Sequence, residues 1–240
     1  MEFLGMKPLG ELAVTVELGE GIDLNTHRKV QALSSYLEKY SLPALVEYVP
    51  AFTSVTIYYD PIKAASLKEK YKAATPYDVM QRLLSEILTK VEMIESDKPK
   101  LVEIPVCYRG EYGPDLKFVA EYNHLTPDEV IQIHTEGTYL TYMIGFAPGF
   151  PYLGGLSKKI NAPRQKNPRM NTPAGSVGIA GNQTGIYPLE TPGGWQIIGR
   201  TPLKLFDPKK SPPTLLTAGN IIRFRSISKL EYEQIAEVEM

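Results

Sequence analysis

The sequence has few of the residues from which common catalytic centres are built. It contains one cysteine, Cys107, in 240 residues, which excludes an internal disulfide and a cysteine-rich zinc site. Its three histidines, His27, His124 and His134, fall on different predicted elements, which argues against a three-histidine metal site. We therefore expect no metal centre built by this chain.

The common nucleotide and hydrolase motifs are also missing. No glycine is followed by lysine, so no phosphate-binding loop of the GxxxxGK[ST] type exists, and neither GxGxxG nor HExxH occurs. Ser176 in AGSVG lacks the glycine two places earlier that a nucleophile elbow requires. Motif searches thus identify no complete catalytic apparatus.

Charge and hydropathy narrow the partners. Lys plus Arg number 26 and Asp plus Glu 27, so a net charge of −1 gives no reason to expect nucleic acid or an anionic membrane surface as a partner. The N-terminal stretch MEFLGMKPLGELAV has no long apolar run, and no stretch approaches a membrane span. The expected location is the cytoplasm.

The first hundred residues alternate strands and helices in the order β-α-β-β-α, which is most of a ferredoxin-like split βαβ unit. The two helices have apolar residues at helical spacing. The predicted elements are a strand at Leu12–Leu18, a helix capped by Asn25 or Thr26, strands at Leu45–Val49 and Ser54–Tyr59, and a helix capped by Thr75.

A polar segment that carries a proline, residues 95–100, predicts a domain boundary. We expect a small α/β domain over residues 1–96 and a second domain over residues 97–240. The fold class is therefore α+β, with the second part mainly β.

Beyond residue 100 the glycine and proline density rises. A strand is predicted at Leu101–Tyr108, followed by two short helices, the second with a Thr126–Glu129 capping box and Gly137 at its end. Short strands separated by turns then predict a closed barrel or sandwich, and a Ser228–Glu231 capping box predicts a last helix. The strands are Tyr139–Ile144, Ser176–Ala180, Trp195–Thr201 and Asn220–Ser226.

Aromatic, glycine and arginine residues concentrate between residues 144 and 201, in segments such as GFAPGFPYLGG (145–155) and PAGSVGIAG (173–181). Glycines allow backbone N–H groups to approach a ligand, and guanidinium groups match carboxylates and phosphates. The alternative is structural, because barrels need glycines at their corners and buried aromatics there are usually core. For His134, a satisfied structural histidine competes with a functional one.

Several long segments closely resemble the KipI family, which includes the B component of bacterial ATP-dependent 5-oxoprolinase, the sporulation-kinase inhibitor KipI and allophanate hydrolase subunit 1. The segments are EYVPAFTSVTIYYD (47–60), VEIPVCYRGEYGPDL (102–116), EVIQIHTEGTYLTYMIGFAPGFPYLGGL (129–156), PRMNTPAGSVGIAGNQTGIYPLETPGGWQIIGRTPL (168–203) and PPTLLTAGNIIRF (212–224).

The resemblance covers essentially the whole chain and implies a small α/β domain followed by a cyclophilin-like β-barrel. It implies ATP-dependent opening of 5-oxoproline to glutamate by a complex with a cyclophilin-like C component and an A component. ATP, with Mg²⁺, would be shared with or bound by those partners. Competing functions are docking on a sensor histidine kinase, action on a urea-like amide, and, from the barrel alone, prolyl isomerisation.

Opening a lactam requires its amide oxygen to become a leaving group, so the site needs positive charge, a dry pocket and a proton carrier. We expect the catalytic residues to be His134, as proton carrier, and Arg200. The expected substrate-binding residues are Phe146, Pro148, Gly149, Phe150, Arg164, Arg169, Pro173, Ala174, Gly175, Gln183 and Trp195. With Arg200, the segments 145–155 and 173–184 are predicted to line one concave face.

Overall fold

A computed structural model describes residues 1–21, 23–91 and 99–239. The chain divides into two compact units, Met1–Lys98 and Pro99–Met240. The boundary predicted between residues 96 and 97 lies outside the described residues and stays a prediction. Within the described ranges, no helix combines the length and the apolar composition needed to cross a bilayer.

The first unit packs helices against one antiparallel sheet of strand order β1-β2-β4-β3. Strands β2 and β3, which α1 connects, are both antiparallel to β4 between them, and this is the predicted split βαβ arrangement. The elements are β1 Gly5–Leu9, β2 Ala13–Glu17, α1 Leu24–Lys39, β3 Leu45–Pro50, β4 Ser54–Tyr59, α2 Pro61–Ala65, α3 Lys68–Tyr71 and α4 Pro76–Val91.

Three features of this unit differ from prediction. Strand β1 is not predicted because it carries Pro8, which sequence rules read as a strand breaker but which an edge strand tolerates. The short helices α2 and α3 are not predicted either. The predicted cap of α1 at Asn25 or Thr26 is wrong, because Asp23 accepts both of those backbone N–H groups at 2.8 and 2.9 Å.

The second unit is built on a barrel-like sheet of seven strands in the order β12-β9-β10-β7-β6-β13-β5. Its two edges meet where Cys107 and Arg200 exchange two backbone hydrogen bonds of 2.9 Å. A separate ribbon pairs β8 with β11. The elements are β5 Leu101–Val106, α5 Leu116–Tyr122, α6 Pro127–Glu136, β6 Tyr139–Ile144, β7 Pro151–Gly154, β8 Arg169–Thr172, β9 Ser176–Ala180, β10 Gln183–Ile186, β11 Thr191–Gly193, β12 Gln196–Arg200, β13 Ile221–Ser226 and α7 Lys229–Glu239.

The mixed helix-and-sheet fold class, with a barrel-like second unit, is confirmed. So is the Thr126–Glu129 capping box of α6, with hydrogen bonds of 3.2 and 2.7 Å. The capping box predicted for α7 is only half formed. Ser228 accepts the Glu231 N–H at 3.2 Å, but the Glu231 carboxylate pairs with Arg225 instead.

His134 lies inside the barrel with no exposed surface. Thr184 donates its hydroxyl hydrogen to the Gly178 carbonyl, so its oxygen must accept from Nε2–H of His134, at 3.1 Å. Nδ1 then carries no hydrogen and accepts from the Tyr108 hydroxyl at 2.8 Å. The chain of hydrogen bonds thus fixes one tautomer of a neutral imidazole.

Burial lowers the pKa of His134 to about 3. An imidazole that has no exposed surface and whose two nitrogens are both engaged neither contacts a substrate nor carries a transferable proton near neutral pH. We therefore propose a structural role for His134 in place of the expected proton carrier.

This assignment predicts a pH dependence of stability. The unfolded imidazole binds a proton below pH 6.5 and the folded one only near pH 3. His134 should therefore lower the free energy of unfolding of the barrel unit as the pH falls through this window, by about 1.4 kcal/mol per pH unit. Denaturant unfolding followed by the fluorescence of Trp195, the only tryptophan, measures it.

His134→Gln should flatten this pH dependence relative to the unsubstituted chain. His124→Gln, at an exposed position, is the matched control for losing a histidine. Parallel curves for the two variants would contradict the assignment.

Candidate functional site

Besides the apolar core inside the barrel, a separate apolar cluster lies on the outer face of the barrel sheet. It is centred on Phe150, whose ring meets those of Tyr187 and Trp195 edge to face, with centroids 5.2 and 5.5 Å apart. Because Thr184 points into the barrel, its neighbour Gly185 faces outward. A Cβ on Gly185 would come within 3.0 Å of the Trp195 ring, so the missing side chain makes room for the cluster.

The GFAPGF loop holds an exposed ring beside this cluster. Phe146 has φ of +70°, and Ala147 N–H donates to the Gly145 carbonyl at 2.9 Å, which makes a γ-turn of the rarer, strained form. The Phe146 side chain is 64% exposed, and its ring lies 5.4 Å from that of Phe150. Positive φ at a bulky residue is strain of the kind found at binding sites.

A cleft of about 210 Å³ opens between this loop and the aromatic cluster. Among the described residues, Arg164 is its only charged lining residue, and the guanidinium carbon lies 6.0 Å from the centre of the Trp195 ring. The lining residues are Phe146, Phe150, Tyr152, Arg164, Pro168, Tyr187, Pro192, Gly193, Gly194 and Trp195.

Tyr187 supplies a buried hydroxyl to the cleft. Its oxygen lies beside Gly193 of the lining, where a Cβ would come within 2.5 Å of it. Burial raises the pKa of Tyr187, and the positive charges of Arg164 and Arg169 partly oppose that rise. The hydroxyl therefore keeps its hydrogen at neutral pH in a locally positive environment.

Arg169 serves the walls of the cleft. Its guanidinium pairs with Asp115 at 2.5 Å, and the other oxygen of that carboxylate accepts the Ile197 N–H at 2.6 Å. Asp115 is 9% exposed, so this pair is largely removed from water. It ties β8 to β12, and a guanidinium used in this way is not available to a ligand.

Arg200 lies outside the cleft. Its guanidinium carbon is 5.6 Å from the centre of the Tyr112 ring, and its positive charge acts on the nearby Tyr232 hydroxyl. These tyrosines belong to the small cluster between the barrel and α7. The structure thus separates Arg200 from Trp195, although both stand near β12.

Of the predicted substrate-binding residues, the cleft brings together Phe146, Phe150, Arg164 and Trp195. The segment 173–184, which is described throughout, contributes none of the lining residues. Gly175 has φ of +79° and a backbone so close to the Thr201 carbonyl that a Cβ would clash, which accounts for the Pro173-Ala174-Gly175 turn structurally. Pro148, Gly149 and Gln183 likewise lie outside the lining.

Some lining residues are not among those predicted from the sequence. They are Tyr152, Tyr187, Pro168, Pro192, Gly193 and Gly194. The signal is present in the TPGGW run at 191–195, where two glycines precede the only tryptophan. Such a run allows a close backbone approach to a ligand, as GFAPGF does.

The first unit has a larger groove, of about 490 Å³, but its composition is less like that of a ligand site. Its described lining has no cluster of buried aromatic rings, and its Arg82 already donates to the Tyr71 carbonyl. The lining residues are Phe3, Met6, Lys70, Tyr71, Lys72, Gln81, Arg82, Ser85 and Glu86. We take the cleft of the second unit as the candidate site.

The aromatic cluster should be sensitive to added volume at Gly185. Gly185→Ala should lower the free energy of unfolding by about 1–3 kcal/mol, because the new Cβ meets the Pro151 carbonyl oxygen at 2.9 Å as well as two rings. Gly194→Ala is the matched control, since its Cβ would make only ordinary contacts of 3.6 Å or more. Urea unfolding followed by circular dichroism compares the two, and equal losses would contradict this account.

Comparison with known proteins agrees with this architecture. A family model described as "Carboxyltransferase domain, subdomain C and D" matches residues 4–216. The urea carboxylase of Kluyveromyces lactis shares the fold, with a TM-score of 0.73 at 22% identity over 98% of this chain and 22% of that one. A conserved uncharacterized protein from Pyrococcus horikoshii is 43% identical, with a TM-score of 0.54 over 95% of this chain and 99% of the other.

Curated relatives give the same family. The B component of the 5-oxoprolinase of Bacillus subtilis is 48% identical and aligns with 97% of this chain and 96% of its own length. That of Escherichia coli O157:H7 is 39% identical over 90% of this chain and 93% of its own. The chain therefore belongs to the carboxyltransferase subdomain C and D family, within the group of bacterial 5-oxoprolinase B components.

Proposed function

We propose that this chain is the B component of an ATP-dependent 5-oxoprolinase complex that opens 5-oxo-L-proline to L-glutamate. The supporting observation from the comparisons is that the corresponding 5-oxoprolinase component of Bacillus subtilis aligns over 96% of its length. The supporting observation from the structure is the aromatic cleft with one cation. The location that suits this complex is the cytoplasm.

The cleft suits a small, flat ring. Its volume of about 210 Å³ is below the ~300–1,000 Å³ of drug-sized pockets. The walls are mostly rings, glycines and prolines, which present flat faces to a planar amide. The cleft is open in this chain alone, and closure by partner chains would give the dry pocket that lactam opening requires.

The chain binds and orients its substrate, and its partners supply the groups that react. Within the part of the chain that the structure describes, no carboxylate or imidazole lines the cleft, and His134 is sealed in the barrel. Proton transfer requires a group of suitable pKa within hydrogen-bond reach of the reacting atoms, and besides Arg164 the described lining offers only the hydroxyls of Tyr152 and Tyr187, of which burial raises the pKa of Tyr187. A complex with A-like and C-like components would complete the site.

The residues present do not fit ATP with Mg²⁺. Magnesium in nucleotide sites is held by one or two carboxylates together with phosphate oxygens, and the described lining of the cleft contains no carboxylate. A polyphosphate would face a single guanidinium there. We propose that the partner chains bind the nucleotide.

A urea-like amide is the second candidate substrate. Urea amidolyase of Lachancea kluyveri is 28% identical over 95% of this chain, although that stretch is only 14% of the yeast protein. Urea carries no charge, whereas the cleft contains the guanidinium of Arg164, which forms no ion pair with any described carboxylate. We therefore favour an anionic cyclic amide.

The isolated chain should be catalytically silent, and co-expression with adjacent genes for the A-like and C-like components should restore activity. The measurement is 5-oxoproline-dependent ATP hydrolysis, with glutamate quantified as product. Omission of each component in turn is the control. Cleavage by this chain alone, or a complex that responds to urea and not to 5-oxoproline, would contradict the proposal.

Phe146→Asn should separate activity from stability. Asparagine tolerates positive φ, and the replaced ring is mostly exposed, so the free energy of unfolding should stay constant or rise by up to about 1 kcal/mol. The kcat/KM of the complex should fall at least about tenfold if the ring closes over the ligand, because that loss corresponds to roughly 1.4 kcal/mol.

Phe118→Asn is the matched control, since Phe118 is 43% exposed on α5 and outside the cleft. Unchanged kinetics in Phe146→Asn would show that the loop is strained for another reason.

A further inference from the structure

We propose that Arg164 and Tyr187 form a carboxylate-binding pole of the cleft, which selects a cyclic amide that carries a carboxylate over a neutral amide. This inference rests on the proposed function and assigns roles to two side chains within it. It depends on three features: the fixed backbone around Arg164, the lack of an anionic partner for its guanidinium among the described residues, and the hydroxyl hydrogen that Tyr187 can donate.

Arg164 is held in place by its neighbours on both sides. The Pro163 carbonyl accepts from the Gln196 side chain at 2.9 Å, and the Gln165 N–H donates to the Gly194 carbonyl at 2.8 Å. Gln196 is 4% exposed, so the first of these bonds is anchored in the interior. The backbone on both sides of Arg164 is thus fixed to Gly194 and Gln196, the two neighbours of Trp195, and Arg164 itself lines the cleft.

The guanidinium of Arg164 is left without an anionic partner by the residues that the structure describes. Among them it makes no ion pair or hydrogen bond, whereas Arg169 is matched by Asp115 and Arg225 by Glu103 and Glu231. It lies instead over the face of Trp195. An arginine fixed at an aromatic cleft whose described lining contains no carboxylate leaves five N–H donors for a ligand.

Tyr187 adds a directed donor to the same place. Tyr187 is only 2% exposed, lines the cleft together with Arg164, and keeps a hydroxyl hydrogen that it can donate. The positive charge of Arg164 acts on this hydroxyl, so the two groups lie in one electrostatic environment. A guanidinium beside a buried hydroxyl suits a carboxylate, while the adjoining rings of Trp195 and Phe150 suit a flat lactam.

An anion at this place could also be a phosphate of an activated substrate, and kinetics separate the two. A ground-state carboxylate contact appears in KM, whereas a contact that forms with a developing phosphate appears in kcat. We commit to the carboxylate, because Arg164 and Tyr187 line the same cleft and are in place before any reaction occurs.

The test uses the reconstituted complex, with L-5-oxoproline as substrate and 2-pyrrolidone, the same ring without the carboxylate, as competitive inhibitor. Arg164→Gln should raise KM for 5-oxoproline about 10- to 100-fold, the range of a lost charged hydrogen bond. The inhibition constant of 2-pyrrolidone should change less than about threefold. Tyr187→Phe should raise the ratio of the KM for 5-oxoproline to the inhibition constant of 2-pyrrolidone by less than Arg164→Gln does. Arg164→Lys should raise this ratio less than Arg164→Gln, because it keeps the positive charge.

Arg223→Gln is the matched control, an exposed arginine on β13 that does not line the cleft, and it should leave both constants unchanged. A parallel rise of KM and of the 2-pyrrolidone constant would show that Arg164 only shapes the cleft and would overturn the proposal. A fall in kcat at constant KM would assign the anion to phosphate, with the same consequence.

If the unsubstituted complex is inactive on 5-oxoproline, the proposed function fails by itself. The carboxylate pole is then tested on the isolated chain by titrating Trp195 fluorescence. Saturable quenching by 5-oxoproline, weaker with 2-pyrrolidone and lost in Arg164→Gln, supports the pole, and its absence overturns it.

Discussion

The candidate site depends on the absence of two side chains from the outer face of the barrel sheet. Gly178 and Gly185 both lie under Trp195, and a Cβ on either would come within about 3.0 Å of it; one on Gly185 would also come within 3.1 Å of the Phe150 ring. An ordinary barrel strand alternates apolar residues inward with polar residues outward. At Gly178 and Gly185 the outward side chain is missing. A layer of aromatic rings therefore packs directly on the sheet there and forms one wall of the cleft.

That layer is fixed by one carboxylate. Asp115 stands before α5, receives the Ile197 N–H of β12, and pairs with Arg169 of β8. It thereby joins a helix, a barrel strand and the ribbon that carries the far wall of the cleft. Since a partly buried charge left alone is strongly unfavourable, Asp115 and Arg169 are strictly dependent on one another. The two arginines near the cleft thus differ: Arg169 is paired with Asp115, whereas Arg164 lines the cleft and is the residue for which we propose a ligand contact.

Sequence patterns locate most of the long elements, because burial requires a regular spacing of apolar residues. Helix α4, with its cap at Thr75, and strands β4, β6 and β9 follow such patterns and are predicted. Strands β7, β8, β10 and β11 escape prediction because they have only three or four residues, and β7, β10 and β11 also contain glycine or proline. The predicted N-cap of α1 is misplaced because three polar candidates compete within four residues, and only geometry selects Asp23.

The site is predicted in part for the same reason. Composition marks the region 144–201 as rich in rings, glycines and arginines, and this region contains the cleft. It cannot rank three arginines that look alike in sequence, because their roles depend on partners far along the chain: Asp115 for Arg169, Tyr112 for Arg200 and, within the described residues, no anion for Arg164. The sequence does place His134 on the apolar side of α6, four residues after Val130, but it cannot show that both ring nitrogens are engaged, because Tyr108 and Thr184 are distant in sequence.

The hydrogen-bond direction through His134 has a consequence for the division of labour within the complex. The Tyr108 hydroxyl, the His134 imidazole and the Thr184 hydroxyl form a series of hydrogen bonds that ends on the Gly178 carbonyl. Each hydrogen in this series is donated in one direction only. Such a network stabilises a unique barrel interior, because each buried polar group is satisfied only in that arrangement. It cannot also relay protons, since protonating the imidazole would take away the acceptor of the Tyr108 hydroxyl. This series of hydrogen bonds ends at Gly178, which also lies under the aromatic layer. Strand β9 therefore contacts the buried hydrogen-bond network on one face and the rings of the candidate site on the other. An inert interior beside an aromatic cleft is what the proposed function requires of this chain, in which it holds the substrate and its partners supply the reactive groups.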